Sequence, residues 1–284
     1  MHSGSFKIDM HTHSRVSDGS LSLQELVDEA TDKELNALAI TDHDTLQHFS
    51  QIDKLSIPQT LKVYKGVELS CEDPLTHKTV HLLGYGLVER DSPLPFETLA
   101  QKTLEQRLDQ SRYITQTLIA VGANISWEEV SSEAQDSATV YRGIIAKVLK
   151  RVEVGERYER FRRLYHQLKA QCDKDFRFPS YMEGLIALKE SGAKVVLAHP
   201  GRSKALHLVP EMARAGLFGI ERNHPDNTDA VRREVDELAK EFKLIKTGGS
   251  DYHGLNSPRA LAQDIAPQDE VNNILELLSY NKAY

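Results

Sequence analysis

The sequence predicts an α/β protein, a distorted (β/α)7 TIM-like barrel carrying an inserted α-helical lid subdomain. Three observations predict it. Short β-branched or apolar runs alternate with amphipathic stretches in the first and last thirds of the chain, roughly seven such runs can be counted, and the middle third shows helical periodicity alone. An open doubly wound sheet is the second choice.

The first barrel segment spans residues 6–92. Phe6–Met10 reads as the opening strand. A helix follows from the Ser22-x-x-Glu25 capping box, with Leu23, Leu26, Val27 and Ala30 on one face. Ala37–Ile40 is the second strand, Leu61–Leu69 the third, ending at Glu68, and Thr79–Leu83 the fourth. Residues 93–180 form the insertion, with long helices expected over Phe96 to Val121 and Glu156 to Ala170. The βα rhythm returns over 181–284, with a helix from Tyr181 through Leu188. Strands at Lys194–Ala198, Phe218–Glu221 and Leu244–Thr247 follow, separated by helices at Val209–Ala215 and Asp229–Phe242.

With 284 residues the chain buries a large core, and 40% hydrophobic with 27% charged residues excludes a disordered or fibrous protein. No apolar run approaches the roughly 20 residues that cross a bilayer, so a cytoplasmic enzyme with no membrane partner is expected. Cys71 and Cys172 stand far apart without a Cys-x-x-Cys pair, which argues against a disulfide framework or a structural zinc cluster. The net charge of −7 disfavours duplex DNA, but a small nucleotide is not excluded because metal-binding carboxylates contribute to that charge.

Most histidines and several acids follow predicted strands, whose C-terminal ends converge on one mouth in a βα barrel. His11 and His13 leave the first strand two residues apart, so both imidazoles point the same way about 6–7 Å from each other. Asp18 lies in the loop beyond them. His43 follows the second strand, Glu68 ends the third, His81 lies on the fourth, His199 ends the fifth, and Asp251 and His253 follow the last. Six imidazoles and three carboxylates suit Zn, Mn or Fe better than Ca or Mg, and nine ligands exceed the coordination of one ion. Two or three divalent ions are expected.

The segments His11-Thr12-His13, Thr41-Asp42-His43, Gly66-Val67-Glu68, His81, Ala198-His199-Pro200 and Gly249-Ser250-Asp251-Tyr252-His253 resemble the motifs of the polymerase and histidinol phosphatase (PHP) family. Within it the chain is most similar to stand-alone bacterial phosphoesterases with a helical insertion, among them nucleoside 3',5'-bisphosphate phosphatases and 5'-to-3' exoribonucleases acting on short RNA. The resemblance implies a trinuclear site. His11, His13, Glu68 and Asp251 would hold one ion, Glu68, His81 and His199 a second, and Asp18, His43 and His253 a third. All nine positions carry a ligating residue.

Ions so placed would activate a water, clamp phosphate oxygens and stabilise the leaving oxygen, so the expected reaction is hydrolysis of a phosphate ester of a small nucleotide or of the 5' end of short RNA. His11, His13, Glu68, Asp251 and His253 form the expected catalytic set, with His224 as a phosphate contact or proton donor. Arg202, three residues past His199, is placed to grip phosphate, and Arg142 matches an arginine that relatives carry in a Gly-Arg-Pro-His turn, here without its Pro and His. Asp42 and Asp44 flank His43 as possible orienting acids, and Gly248 and Gly249 are read as a sharp turn. Arg107 and Arg112 read as a solvated helix face. Arg157, Arg160, Arg162 and Arg163, interleaved with Tyr158, Phe161 and Tyr165, read as an amphipathic helix with inward aromatics rather than an RNA contact. A histidinol-phosphate or sugar-like phosphomonoesterase and a non-catalytic metal-stabilised binding module are the alternatives.

Overall fold

Strands as fully buried as Ile8–Thr12 and Ala37–Ile40 need cover on both sides, and that is how the barrel is built. The computed structural model describes residues 6–87 and 92–279. Strand β1 (Ile8–Thr12) is buried throughout and pairs in parallel with β2 (Ala37–Ile40), which pairs in parallel with β3 (Lys62–Glu72). Strands β5 (Lys194–Leu197), β6 (Gly219–Asn223) and β7 (Ile245–Gly248) are likewise parallel. The seven strands lie in sequence order, which rules out the doubly wound alternative, because that fold reverses its strand order at a switch point. Residues after β7 return to β1 through Asp251 N to His11 O and His13 N to Tyr252 O, both 2.9 Å, and nearly close the barrel.

One strand departs from the expected pattern. Strand β3 does not end at Glu68 but continues to Glu72, and β4 (Thr79–Tyr85) runs antiparallel to both neighbours. The cause is a tight link rather than a helical crossover. The Asp73 side chain accepts from Leu75 N (2.9 Å) and Thr76 Oγ1 (2.6 Å), so the chain reverses within a few residues. His81, near the start of β4, therefore lies opposite Ser70, at the mouth reached by the ends of the parallel strands.

The helices follow their capping chemistry. Helix α1 (Leu23–Asp32) carries the predicted box, with Ser22 N donating to Glu25 Oε2 at 2.7 Å and Glu25 N to Ser22 Oγ at 3.3 Å. After the short α2 (Phe49–Ile52), four helices occupy the stretch between β4 and β5 that sequence periodicity gives to the insertion: α3 (Pro95–Ala120), α4 (Trp127–Glu133), α5 (Arg142–Val152) and α6 (Gly155–Asp175). They share a core of their own around Ile114, Leu118, Val130, Ile145, Val148 and Phe161. Phe161 and Tyr165 of α6 are buried, while Arg157 and Arg162 pair with Glu153 and Glu159 on its outer side. The rest of the barrel is covered by α7 (Tyr181–Glu190), α8 (Pro200–Ser203), α9 (Val209–Arg214), α10 (Asp229–Phe242) and α11 (Val271–Ser279). Cys71 and Cys172 are free thiols. No helix among the described residues is long and apolar enough to cross a membrane.

Candidate active site

All nine sequence-predicted ligands meet at one barrel mouth. Alternation along β1 aims His11 and His13 together, their ring centroids 5.1 Å apart and their Nε2 atoms 3.1 Å apart. Both Nε2 atoms lie 3.0 Å from Glu68 Oε2, and Asp251 Oδ1 stands 3.6 and 3.3 Å from them. The other Glu68 oxygen, Oε1, faces His81 Nδ1 at 2.8 Å and His199 Nε2 at 2.9 Å. His253 Nε2 lies 3.2 Å and His43 Nε2 4.0 Å from Asp18 Oδ1. His43 Nδ1 is also 3.3 Å from Glu68 Oε2, so His43 faces both sets.

This donor set fits divalent cations. His11, His13, Glu68 and Asp251 form one group with ligand atoms at metal spacing, His43, Glu68 and His81 a second, and His13, Asp18, His43 and His253 a third. His199 joins through Glu68 Oε1 and through His81, whose Nδ1 is 3.2 Å from its Nε2. Buried polar atoms in a protein interior are normally hydrogen-bonded, yet His13 Nδ1 and His199 Nδ1 have no hydrogen-bond partner, and Asp18 Oδ1, His43 Nδ1 and Glu68 Oε2 have ring or carboxylate neighbours but none aligned as a hydrogen bond. The charges tell the same story. Burial pushes the Glu68 carboxyl up, but the surrounding His11, His43 and His81 carry it well below the usual range. Asp251, likewise buried, is carried well below its range by His11, His13, His224 and His253. Burial lowers His199 to about 4 and holds His43 well below an ordinary imidazole, so both are neutral and free to ligate. Burial opposes charge on His13 as well, but Asp251 and Glu68 raise it to about 10. Only protons or cations can balance two carboxylates as deeply placed as Glu68 and Asp251, and the imidazoles offer lone pairs to cations.

The groups that orient these ligands are mostly not the ones the sequence suggests. Asp42 accepts from Ser14 N (2.8 Å), Ser14 Oγ (2.6 Å) and Ser17 Oγ (2.6 Å), and Asp44 from Ser70 N (2.7 Å) and Arg107 Nη2 (3.2 Å). Both acids hold loops rather than the candidate ligand imidazoles, and the imidazole that Asp42 faces is His48, with Nδ1 at 3.5 Å. The acid that aims a ligand is Glu221, at the third position of β6, whose Oε1 takes His11 Nδ1 at 3.0 Å and whose Oε2 takes His199 N at 2.6 Å. No local signal singles it out, because its partners come from β1 and from just past the end of β5. His253 is aimed by a backbone group, with Nδ1 2.8 Å from Asp251 O. Asp9 ties β1 to the turn after β7, accepting from His11 N (3.2 Å), Ser250 N (3.0 Å) and Ala262 N (3.0 Å).

The glycines after β7 serve close approach, not a turn. Neither Gly248 nor Gly249 has a positive φ, but a Cβ on Gly249 would sit against His11 Cβ and 2.6 Å from His11 N. Strain lies instead on three non-glycine residues at the mouth, His199 (φ 27°), Asp251 (φ 50°) and Asp44 (φ 56°).

Above the ligands opens a cleft of about 1100 Å³, walled by the insertion. Arg142, Lys169 and Arg202 line it together with Arg107, and Arg142 pairs with Asp173. Burial and the neighbouring Arg142 lower the Lys169 ammonium, which marks these cations as crowded. Arg107 is not on a solvated face. Its guanidinium lies 5.3–5.9 Å from the Tyr141, Phe176 and Phe178 rings and bonds Asp44 and Ser70 Oγ (3.0 Å). Arg112 stacks 5.4 Å from the Trp127 ring. His224 is fully buried, its Nδ1 accepting from Asp226 N at 3.0 Å, which leaves Nε2 as the N–H of the neutral ring, 3.5 Å from Asp251 Oδ2.

A nearly closed seven-stranded barrel with an imidazole–carboxylate cluster at the strand ends defines the class of metal-dependent hydrolases. The chain belongs to the PHP domain family, whose model matches residues 9–245. It is 33% identical over 251 residues to a phosphoribosyl 1,2-cyclic phosphate 1,2-diphosphodiesterase of Eggerthella lenta, covering 87% of this chain and 94% of the relative. It is 29% identical to the 5'-3' exoribonuclease Rnm of Escherichia coli, over 86% of this chain and 84% of that one. A 3',5'-nucleoside bisphosphate phosphatase of Chromobacterium violaceum shares 26% identity over 87% of each chain. Among solved structures, a candidate metal-dependent phosphoesterase of Bifidobacterium adolescentis superposes with a TM-score of 0.81 at 26% identity, covering 96% of this chain and 97% of that one. The protein is a metal-dependent phosphoesterase, a hydrolase of phosphoric ester bonds.

Proposed function

We propose that the substrate is a small phosphorylated ribose bearing more than one phosphate group, as in a nucleoside bisphosphate or the 5' end of short RNA. The observation that carries this is the pairing of a nine-donor cluster on the cleft floor with a cationic wall of Arg142, Lys169 and Arg202 above it. One anionic group can lie on the cluster while a second meets the wall, where guanidinium forks match phosphate geometry. Relatives named for a phosphoribosyl cyclic phosphate, an RNA and a nucleoside bisphosphate support the same chemistry. A histidinol phosphate offers the wall no second anion.

His11, His13, Glu68 and Asp251 would hold one divalent ion, Glu68, His81 and His199 a second, and Asp18, His43 and His253 a third, with Mn, Zn or Fe matching the donor types. Bound there, the ions supply an activated water and charge compensation for the phosphoryl oxygens. The chain does the rest. Arg202 grips a non-bridging oxygen, the buried Nε2–H of His224 faces Asp251 Oδ2 and steadies that carboxylate, and the insertion narrows water access. Hydrolysis is tested by measuring metal content and turnover together on nucleoside 3',5'-bisphosphate, phosphoribosyl 1,2-cyclic phosphate, 5'-phosphorylated oligoribonucleotide and histidinol phosphate. Turnover on the ribose phosphates that His11→Ala abolishes is expected. Equal or better turnover of histidinol phosphate by the fully metallated protein sinks the substrate reading.

A further inference from the structure

Arg259 stands eight residues beyond Asp251, in the loop after β7, and its side chain is only 15% exposed. Its Nη1 contacts Asp251 Oδ2, and its Nη2 lies 2.6 Å from Asp226 Oδ2. Asp251 divides its oxygens between two kinds of neighbour. Oδ1 faces the ligand imidazoles of His11 (3.6 Å), His13 (3.3 Å) and His253 (3.5 Å). Oδ2 faces three donors, Arg259, Arg202 Nη1 at 3.4 Å and His224 Nε2 at 3.5 Å. A single carboxylate oxygen has two lone-pair sites and cannot satisfy three donors well. When a divalent ion takes up charge at Oδ1, two guanidinium groups and an imidazole N–H remain with too little negative charge, at the edge of the cleft that Arg202, Asp226 and Arg259 line. A phosphoryl group in the cleft has oxygens enough to meet both guanidinium groups, leaving Asp251 Oδ2 to the buried His224 N–H.

We infer that Arg259 is a phosphate-binding residue, held by Asp251 and Asp226 while the cleft is empty and transferred to the substrate's phosphoryl oxygens once cations occupy the cluster. The loop that carries it is anchored at both ends, by Asn256 Nδ2 to Asp18 O (2.8 Å) and by Ala262 N to Asp9 Oδ2 (3.0 Å), so the side chain alone need move. Asp226 then acts as a competitor for the guanidinium. Its backbone N–H to His224 Nδ1 survives substitution of the side chain.

The inference rests on the phosphoesterase reading, and the test separates the two. Inorganic phosphate binding to the Mn-loaded protein is measured by calorimetry, with bound metal determined for every variant. Arg259→Ala should weaken phosphate about 10- to 100-fold, the worth of one charge-assisted hydrogen-bonding group, at unchanged metal content. Arg259→Lys should recover part of that loss, and Asp226→Asn should tighten phosphate several-fold. In turnover assays Arg259→Ala should raise KM more than it lowers kcat. Arg259→Ala binding phosphate as wild type does overturns the assignment, and unchanged or weaker binding by Asp226→Asn overturns the holding role. If the wild-type protein neither binds phosphate nor hydrolyses any ester, the failure lies with the parent reading instead.

Discussion

Glu221→Gln is nearly isosteric, yet the structure predicts that it damages the ligand cluster. Both carboxylate oxygens of Glu221 accept, Oε1 from His11 Nδ1 at 3.0 Å and Oε2 from His199 N at 2.6 Å, and both are buried. A glutamine has one acceptor for these two donors. If its carbonyl keeps the shorter contact to His199 N, its amide NH2 turns toward His11 Nδ1, and a neutral imidazole must move its proton to Nε2, the atom that faces Glu68 and Asp251. The lone pair offered to a cation is then lost. If the amide is reversed, the buried His199 N–H faces a donor, at a cost of about 1–3 kcal/mol. Loss of such an orienting partner weakens metal affinity or activity about 10- to 100-fold, or about 1.4–2.7 kcal/mol. Chelator competition with Mn or Zn should show at least one equivalent weakened by that factor, while melting in excess chelator reads separately the cost of the mismatched donor. A variant that binds every equivalent with wild-type affinity would refute the claim that Glu221 sets the His11 tautomer.

Gly249→Ala should remove metal binding almost entirely, because the added methyl displaces the His11 backbone; native metal content by mass spectrometry would show the close approach to be dispensable. Cation uptake should release protons. In the metal-free protein Asp251 and Glu68, outweighing burial, raise His13 from 6.5 to about 10, so its stabilising proton is fully present below 6.5 and lost as pH rises through about 10. A cation must expel that proton, so apparent affinity should climb with pH by up to tenfold per unit between those values; calorimetry in buffers of different ionisation enthalpy reads the proton count, and zero release contradicts the assignment. Arg107→Ala strands Asp44 and empties an aromatic box, for an expected loss of about 3–5 kcal/mol and early protease cleavage within 95–175; wild-type denaturation and cleavage rates would speak against docking through Arg107.

Strand periodicity makes the barrel legible in the sequence, and the candidate ligands are legible because each lies on such a strand or in the loop after it. Two local features are not. The reversal of β4 depends on Asp73 satisfying its own turn, a short-range contact that apolar alternation does not register, and a parallel reading of β4 would have aimed His81 at the wrong end. Glu221 in Gly219–Asn223 looks like one acid in a half-buried strand, and only the proximity of β1 and β5 shows that it faces His11 and the His199 backbone. Arg107 misleads for the opposite reason. A charged residue on a polar helix is normally solvated, and its burial requires three aromatics and an aspartate drawn from three other segments.

The same contacts bear on how insertion and barrel work together. Tyr141 Oη donates to His43 O at 2.9 Å, Ala138 N to Val16 O at 2.8 Å, and Ser137 Oγ to Ser17 O at 2.9 Å, while Arg107 grips Asp44. Every one of these touches the two loops that carry Asp18 and His43. His11 and Glu68 sit on strands braced by the sheet and His13, one residue past β1, is tied to Tyr252 O, but Asp18 and His43 lie farther out in loops, which need tertiary contacts to hold a side chain still. The insertion supplies those contacts and also walls the cleft. A change that reshapes the lid therefore acts on the loops that carry Asp18 and His43 as well, because lid and loops share one set of hydrogen bonds.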